Sequence, residues 1–597
     1  MRTVEHYLSI LLSLPAKQGK GEVVTVTIED LANVLFCTPR NVKLIIRKLE
    51  EEGWIAWQAG LGRGNPSRMT LLRDLDEMTD AYFHDLLAKN KLNEAMDLFY
   101  HPNLPLPQRN KLRHLLEDRF GFQRVRSDAA TADTLRVTMG CASACLDPAF
   151  VSTSTEAFLL QRICDTLTIF DPRKKTHLPS LAQAWESNED GSKWTFYLRK
   201  GVRFHHGRTL TSKDVLHTVQ RLRDVNSPSR WQYEEIERVE IVSDFAISFY
   251  LLQPNRLFLH FFSSFYMSIL PHDVAFSERG LIGTGLFRIA EFTERVLVLE
   301  ANEDYFRERP FLDRVELWFM PVHMEKDLYQ LPDAHPAKLD GHGNSGEIES
   351  VMDGCQFVVF NFRKEGIQRH RSFRKAMRLV FDRVAMIEDL KGIRIAPAVS
   401  FLPGNSKQTG VGKTTLHEAR ALLQESGYAG EELKLYYWNK KEFHDDARWI
   451  RDRGEAVGLR LSLHPVHLTD YYSTDADQEA DMLVICESLE EDTEWGYLRL
   501  FQDEACFIRR FLDREQHAWL DESVRSLARL SSPEPRARIL DQIERRMRDE
   551  DWVLFGYHMN KITQYHPALH GVTLDSFGWI DFSKLWIKKE MPAQTGT

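Results

Sequence analysis

The sequence contains few cysteines and no long run of apolar residues. Its seven cysteines are scattered over 597 residues, and this odd, dispersed set argues against a disulfide framework and fits a reducing compartment. The longest mostly apolar stretch near the start, residues 7–14, has eight residues, whereas a membrane-spanning helix needs about 20. We therefore expect no membrane segment, no signal peptide and a cytoplasmic location.

Motifs of the common catalytic sites are also missing from the sequence. It contains neither the Gly-x-Ser-x-Gly turn of hydrolases nor the His-Glu-x-x-His pair of zinc proteases, and no pair of carboxylates stands out. Cys141 and Cys145 are four residues apart, but no matching His or Cys cluster accompanies them, so two separate thiols are the better interpretation. We expect neither an enzyme nor a bound cofactor or metal.

Length and charge indicate several domains, the first of them basic. A chain of 597 residues is too long for a single hydrophobic core. Residues 1–73 hold ten Lys and Arg against seven Asp and Glu, although the whole chain has a net charge of −10. A basic module on an acidic body points to a polyanionic partner for that module.

The order of elements in residues 1–73 is typical of a winged helix-turn-helix. The apolar spacing, caps and alternation predict a helix over 4–14, a strand over 22–28, helices over 29–36 and 39–52, and strands over 54–58 and 68–72. A Gly-rich turn separates the last two strands, as in a wing. We therefore expect these residues to form a DNA-binding domain.

The third helix of this domain has a polar face suited to DNA. A helix in the major groove needs hydrogen-bond donors near its start, and wing arginines can reach phosphates or a minor groove. The residues expected to contact double-stranded DNA are Thr38, Arg40, Asn41, Lys43 and Arg47 on the helix and Arg63 and Arg68 on the wing. A solvated helix face and a contact with another protein are the alternative interpretations.

Two segments separate this domain from the rest of the chain. Residues 74–120 carry apolar residues at helical spacing on either side of a Pro-rich turn, which predicts two or three helices that act as a connector or dimerisation element. Residues 121–133 lose this periodicity and are the best candidate for a linker.

Residues 134–597 alternate short strands with helices, as in an α/β domain. They contain the segments Leu-Asp-Pro-Ala at 146–149, FYLRKGVRFHHGRTLTSKDV at 196–215, GTGLFR at 283–288 and NEDYF at 302–306. In these segments the chain resembles the extracellular solute-binding proteins of peptide and nickel transporters. The resemblance covers about 134–590, and it implies a type II periplasmic-binding-protein-like fold of two lobes around a ligand cleft.

A winged helix in front of such a domain resembles the SgrR family of transcriptional regulators. The resemblance implies that a small molecule is sensed in the cleft and that its binding is transmitted to the DNA-binding domain. Gly140, Thr284 and Asn361 stand at strand ends or loops that resemble cleft-lining positions. Residues 481–495 lack the Trp-x-x-Asp pattern whose aspartate holds the amino terminus in peptide-binding members, which argues against a free-peptide ligand. Glu487 or Glu490 is the candidate to replace that aspartate, and Arg363 and Arg369 are the candidates for a phosphorylated ligand.

The sequence therefore predicts a multidomain α/β protein that regulates transcription in response to a sugar phosphate, a sugar or a peptide-like solute. RNA polymerase and a second copy of the chain are further expected partners, and no membrane is expected. The alternative is a solute-binding receptor of an ABC transporter with an N-terminal extension.

Overall fold

The structure is a computed structural model that describes most of the chain. The described residues are 2–14, 19–60, 66–117, 119–126, 131–139, 145–319, 346–406, 412–467, 476–565, 569–575 and 578–587. The chain folds into two compact units, of which the first is Met1–Gln123 and the second begins at Arg124. Among the described helices, none combines the length and the apolar character needed to cross a membrane.

The first unit contains six helices and a three-stranded sheet among its described residues. The elements are α1 (Arg2–Ser13), β1 (Val23–Val26), α2 (Ile28–Val34), α3 (Pro39–Glu51), β2 (Ile55–Gln58), β3 (Ser67–Leu71), α4 (Leu75–Ala88), α5 (Leu92–Phe99) and α6 (Leu106–Glu117). The strands pair antiparallel in the order β1-β3-β2. The predicted order of a winged helix-turn-helix is confirmed, and three helices follow it.

Helix α1 ties this small domain together. Tyr7 is fully buried, and its hydroxyl donates to the backbone carbonyls of Trp54 and Arg73 at 3.1 and 2.7 Å. These two carbonyls lie just before β2 and just after β3, so one side chain fixes both ends of the wing. Burial raises the pKa of the Tyr7 phenol to about 12, which keeps this donor protonated.

Strand β4 spans the boundary between the two units, and together with the following elements of the second unit it forms the group that we call lobe A. These are β4 (Gly121–Arg126), β5 (Thr131–Met139), α7 (Ser154–Ile163), β6 (Thr168–Asp171), β7 (Thr176–Pro179), β8 (Ala182–Ser187), β9 (Lys193–Leu198), α8 (Ser212–Asp224), β10 (Ile236–Ser243), β11 (Ala246–Leu251), α9 (Phe258–Phe261), β12 (Phe287–Phe292), β13 (Val296–Ala301) and β14 (Arg314–Phe319). They form a sheet of order β12-β13-β14-β5-β4, an antiparallel sheet of order β10-β11-β9-β8 and the hairpin β6-β7.

The elements from β15 to β22 form lobe B, and a short strand pair ends the chain. Lobe B contains β15 (Gly346–Val351), β16 (Gly354–Phe360), α10 (Arg371–Val380), α11 (Arg383–Leu390), β17 (Arg394–Pro397), α12 (Pro403–Ser406), α13 (Leu416–Glu425), β18 (Glu432–Trp438), α14 (Lys441–Glu455), β19 (Arg460–Val466), α15 (Ala476–Glu479), β20 (Met482–Ser488), α16 (Thr493–Gln502), α17 (Phe507–Arg510), α18 (Arg514–Ala528), α19 (Pro533–Asp549), β21 (Val553–Phe555) and β22 (Tyr557–Tyr565). Its main sheet has the order β19-β18-β20-β16-β21. The terminal pair is β23 (Leu569–His570) with β24 (Trp586–Ile587).

Residues 121–133 differ from the expected irregular linker, because strand β4 and the first part of β5 lie within them. Strand β4 is at the end of its sheet. An edge strand is held by backbone hydrogen bonds on one side only and needs no apolar alternation in its sequence, so the pattern that would have indicated a strand is missing.

Lobes A and B share buried contacts. Apolar residues of both belong to one continuous core, and the rings of Trp231 in lobe A and Trp495 in lobe B are 4.9 Å apart. The Ser229 hydroxyl also donates to Asp503 at 2.8 Å. Contacts of this kind hold the two lobes against each other beside the cavity described below.

Candidate ligand-binding site and DNA interface

Helix α3 is built so that one face is buried and the other is exposed. The Thr38 hydroxyl caps the helix by accepting the Asn41 backbone N–H at 3.4 Å, and Pro39 occupies the first position, where no N–H is needed. Four apolar side chains face the core, namely Val42, Ile45, Ile46 and Leu49. This burial fixes the rotation of the helix and leaves its polar residues in solvent.

The predicted DNA-contacting residues of α3 all lie on its exposed side. Thr38, Arg40, Asn41 and Lys43 are exposed, and Arg47 forms a surface ion pair with Glu51 at 3.0 Å. The N-terminal end of a helix of this length also carries a partial positive charge that favours phosphate groups. The helix therefore presents several hydrogen-bond donors in a compact row.

The wing contributes one described residue to this set. Arg68 is exposed on β3, opposite Thr25 of β1 and Gln58 of β2. Arg63 lies outside the described residues. The assignment of these seven residues to DNA contact remains a prediction, which the described positions permit.

Two exposed apolar side chains on this unit were not singled out from the sequence. Phe36, in the turn before α3, is 96% exposed, and Leu44 on α3 is 62% exposed. Leu44 lies outside the buried stripe of α3, so the spacing of apolar residues in the sequence could have identified it as an exposed apolar side chain. Apolar groups beside donors can contact thymine methyl groups in a major groove.

The second unit contains a cavity of about 1270 Å³. Residues of lobe A, lobe B and the C-terminal segment line it, so the cavity lies between the two lobes. Its described charged lining consists of seven acidic residues, Asp165, Glu308, Glu490, Glu491, Asp492, Asp575 and Asp581, and four basic ones, Arg162, Arg307, Arg309 and Lys584. A volume of this size accommodates a small solute with several functional groups.

A tight loop before β12 places Thr284 against the cavity wall. Gly283 and Gly285 lie so close to the backbone of Ile163 that a Cβ atom on either would be within 2.6 Å of it. The Gly285 N–H donates to the Ile163 carbonyl at 2.9 Å, and His205 contacts the Gly285 carbonyl at 3.0 Å. These contacts explain why this loop contains two glycines.

Thr284 reaches the cavity through Asp165. Its buried hydroxyl donates to the Asp165 carboxylate at 2.9 Å, and the Tyr305 hydroxyl donates to the other carboxylate oxygen at 3.0 Å. Asp165 and Tyr305 both line the cavity. Burial raises the pKa of Asp165, and these hydrogen bonds together with Arg307 partly oppose that effect.

Two buried carboxylates, those of Glu487 and Glu490, lie on the lobe B side of the cavity, and we call this pair the carboxylate cluster. Arg499 forms ion pairs with Glu490 at 3.4 Å and with Glu487 at 3.6 Å, so one guanidinium serves two acidic side chains. Burial raises the pKa of Glu490 to about 7, and burial also raises the pKa of the adjacent Glu491. A cation in the cavity would stabilise the charged form of Glu490.

The basic residues of the lining are largely engaged with other carboxylates. Arg162 and Lys584 both pair with Asp581, at 3.3 and 3.0 Å. Arg309 pairs with Glu303 and Asp313 at 2.7 and 2.6 Å. The electrostatic character of the described lining is therefore acidic.

The four predicted ligand-binding residues differ in their position relative to the cavity. Thr284 donates to Asp165, which lines the cavity. Glu487 pairs with Arg499, which also pairs with the lining residue Glu490. Asn361 is buried in lobe B, where its amide donates to the carbonyls of Asp477 and Ala480, both at 3.0 Å, and it is not among the lining residues. Gly140 lies outside the described residues, so these four assignments remain predictions.

Several lining residues were not identified from the sequence. Tyr305 belongs to the segment at 302–306 that carried the family resemblance, so a signal for it was present. Asp165 and Asp492 stand in no recognisable motif, and their place at the cavity depends on contacts between distant parts of the chain.

Two parts of the chain match known families. Residues 177–502 match the bacterial extracellular solute-binding proteins, family 5 Middle, and residues 7–124 match the family described as sugar transport-related sRNA regulator N-term. YhjP of Bacillus subtilis, an uncharacterized protein, is 31% identical over 99% of this chain and its own full length. The HTH-type transcriptional regulator SgrR of Photorhabdus laumondii is 22% identical over 95% of this chain and 96% of its own length.

Among solved structures, the periplasmic binding protein DppA of Helicobacter pylori, in complex with the peptide STSA, has a similar fold. It covers 76% of this chain and 98% of its own, with a TM-score of 0.65 and 17% identity. This similarity confirms the predicted type II binding-protein fold.

Proposed function

Because the chain belongs to family 5 of the bacterial extracellular solute-binding proteins and carries the N-terminal domain of SgrR-type regulators, we propose that it is a DNA-binding transcription regulator that senses a small solute. The observation that carries the proposal is the presence, in one chain, of an exposed row of donors on α3 and of a large cavity in a binding-protein fold. Both matched families are described by binding or regulation, so the proposal assigns no enzymatic reaction.

The proposed DNA interface consists of Thr38, Arg40, Asn41, Lys43, Arg47, Arg63 and Arg68. Side-chain donors near the start of α3 would read base edges in the major groove, while the wing arginines would contact phosphates or the minor groove. We propose that the protein acts in the cytoplasm, where its DNA is. Contact with RNA polymerase and a homodimer on paired half-sites complete this part of the proposal.

The charge of the cavity favours a solute that carries an amino group, such as a peptide-like molecule. A phosphate would need several available cations, yet three of the four basic lining residues, Arg162, Arg309 and Lys584, already pair with carboxylates. The fourth, Arg307, donates to the Pro179 carbonyl at 3.0 Å. By contrast, Arg499 is the one cation that the described structure pairs with Glu490, and burial raises the pKa of this carboxyl to about 7. An ammonium group beside Glu490 would add the missing positive charge.

The solute would act by preferring one arrangement of lobes A and B. A ligand shifts a conformational equilibrium only by the difference in its affinity for the two states, and allosteric couplings are typically worth ~1–3 kcal/mol. A solute that contacts both the Asp165 side and the Glu490 side of the cavity meets this requirement, since those residues lie on different lobes.

DNA binding by the full chain is the first test of this proposal. Duplexes would be selected from a random pool on the purified protein, and the affinity of the best duplex would be compared for the wild type, Lys43→Ala and Lys89→Ala. Both lysines are exposed in the first unit, but Lys89 lies beyond α4 and pairs with Asp85. We expect weaker binding only for Lys43→Ala.

If no duplex is enriched, or if both variants bind like the wild type, the α3 interface is wrong. The alternative function, a receptor of an ABC transporter, would then explain the cavity better. It is less favoured now because the N-terminal match covers residues 7–124.

A further inference from the structure

Three potential metal ligands from distant parts of the second unit meet at the edge of the cavity. They are His177 on β7, His260 on α9 and Asp492, which caps α16. Their donor atoms all lie within 4.8 Å of one another. His177 and His260 belong to lobe A and Asp492 to lobe B, so the cluster joins the two lobes.

His177 lacks hydrogen-bond partners that would explain its position. Within the part of the chain that the structure describes, neither of its ring nitrogens has a hydrogen-bond partner, and both nitrogens are buried. Buried polar groups are nearly always satisfied, and an unsatisfied one is costly.

The other two members of the cluster are held firmly in place. His260 Nδ1 contacts Asp492 Oδ2 directly, and Asp492 Oδ1 accepts the Trp495 N–H at 3.2 Å. The His260 ring stacks on Trp495 with 11° between the ring planes, and the His177 ring meets His260 edge to face at 4.6 Å. The aromatic neighbours therefore restrict both imidazoles to their present orientation.

We propose that His177, His260 and Asp492 form a binding site for one divalent transition-metal ion. Two imidazoles and one carboxylate are a donor set for zinc, nickel or copper, whereas calcium and magnesium prefer oxygen ligands alone. Ligand distances of about 2.0–2.2 Å bring donor atoms to roughly 3.5 Å from each other. The Asp492 and His260 atoms that contact each other directly are closer than this, so metal binding requires these two to separate slightly and His177 to approach them.

The ion would have an open coordination position toward the cavity. Asp492 and Trp495 line the cavity, as does Phe170, whose ring lies beside both imidazoles, so water or a bound solute would complete the shell. By linking β7 and α9 to α16, the ion would stabilise the contact between lobes A and B. The site stands independently of DNA binding, since its residues and its test involve only the second unit.

Metal titration of the purified full chain tests the site directly. After treatment with a chelator, the protein would be titrated with Zn²⁺ in a calorimeter, alongside His177→Gln, Asp492→Asn and the control His417→Gln. His177→Gln removes an imidazole without breaking an internal hydrogen bond of the described structure, and Asn can still cap α16. His417 is exposed on α13, far along the chain from the cluster.

We expect one Zn²⁺ per wild-type chain and an affinity that falls by about tenfold or more in His177→Gln and Asp492→Asn. The control should bind like the wild type. Co²⁺ should give the visible absorption of a tetrahedral site in the wild type and in His417→Gln only. The proposal is overturned if the wild type binds no stoichiometric ion, or if both cluster variants fold normally and keep its affinity.

Discussion

The side chains of the proposed DNA interface on α3 and those of the carboxylate cluster differ in how much they contribute to the stability of the fold. Arg40 and Lys43 extend into solvent, and the stability of α3 rests on apolar residues of its opposite face. Glu487 and Glu490 are buried, and both form ion pairs with Arg499. Exposed side chains such as Arg40 and Lys43 can therefore be replaced without unfolding the protein, whereas replacement of a buried, ion-paired side chain destabilises it.

This comparison predicts that Arg499→Met causes the largest loss of stability. Removal of the guanidinium takes away the cation that the described structure pairs with the buried Glu490, and breaking a buried pair typically costs ~3–5 kcal/mol. The midpoint of urea unfolding, followed by circular dichroism, should fall markedly. The exposed counterpart Arg40→Ala should stay within ~0.5 kcal/mol of the wild type. Equal stability of the two variants would remove the basis of the comparison.

The opposite order is expected for DNA. Asn41→Ala should weaken binding to a specific duplex by ~1–3 kcal/mol, or roughly 5- to 150-fold, because a base-reading side chain is lost. The circular dichroism spectrum should stay that of the wild type, and higher salt should weaken the binding of both proteins. Unchanged gel-shift affinities for Arg40→Ala, Asn41→Ala and Lys43→Ala alike would contradict the major-groove assignment.

The titration of Glu490 should have a smaller effect on stability, and this effect should depend on pH. The folded protein raises the pKa of this group from its ordinary value of 4.5 to about 7, so folding favours the protonated form. Its contribution to stability is therefore fully present below about pH 4.5 and is lost as the pH rises through about 7. Relative to Glu490→Gln, the wild type should lose about 2 kcal/mol between roughly pH 5 and pH 8.

Parallel pH profiles of urea unfolding for the wild type and Glu490→Gln measure this difference. Glu365→Gln is a suitable control because Glu365 is exposed in lobe B. If the curves of the wild type and Glu490→Gln run parallel, Glu490 is not the buried acid described above.

The smallest effect is expected at the loop before β12. Thr284→Val keeps the shape of the buried side chain but removes its hydrogen bond to Asp165, which should cost about 1 kcal/mol. Asp165 keeps the hydrogen bond from Tyr305, and this limits the loss. Thermal unfolding of the variant checks the value, and a loss above about 3 kcal/mol would mean that Asp165 depends on Thr284 more than its contacts indicate.

The sequence predicted those parts of the fold that have local causes. The Thr38 cap, Pro39 and the apolar stripe of α3 lie within a few residues of one another, and they indicated that helix almost to its last residue. The segment at 283–288 was recognised through its resemblance to the family, and the structure explains its two glycines by their close approach to Ile163. Strand β4 was missed because an edge strand needs no apolar alternation.

The candidate site was less predictable because it is assembled from distant segments. Asp492 contacts His260, which is 232 residues away in sequence, and no local pattern reports such a meeting. Asn361 follows a strand end, and its amide donates to two backbone carbonyls of lobe B, while its predicted role in ligand binding stays a prediction. From sequence alone, these two kinds of polar residue look the same.

The most direct test of the regulator is a genome-wide map of where the tagged protein binds DNA in its own cell. The same map made with an Arg40→Ala, Asn41→Ala double variant is the matched control. We predict sharp peaks for the wild type, including sites beside transport or metabolic operons, and their loss in the double variant. A wild-type map without peaks, or peaks that persist in the double variant, would contradict the assignment of α3 as the DNA-reading element.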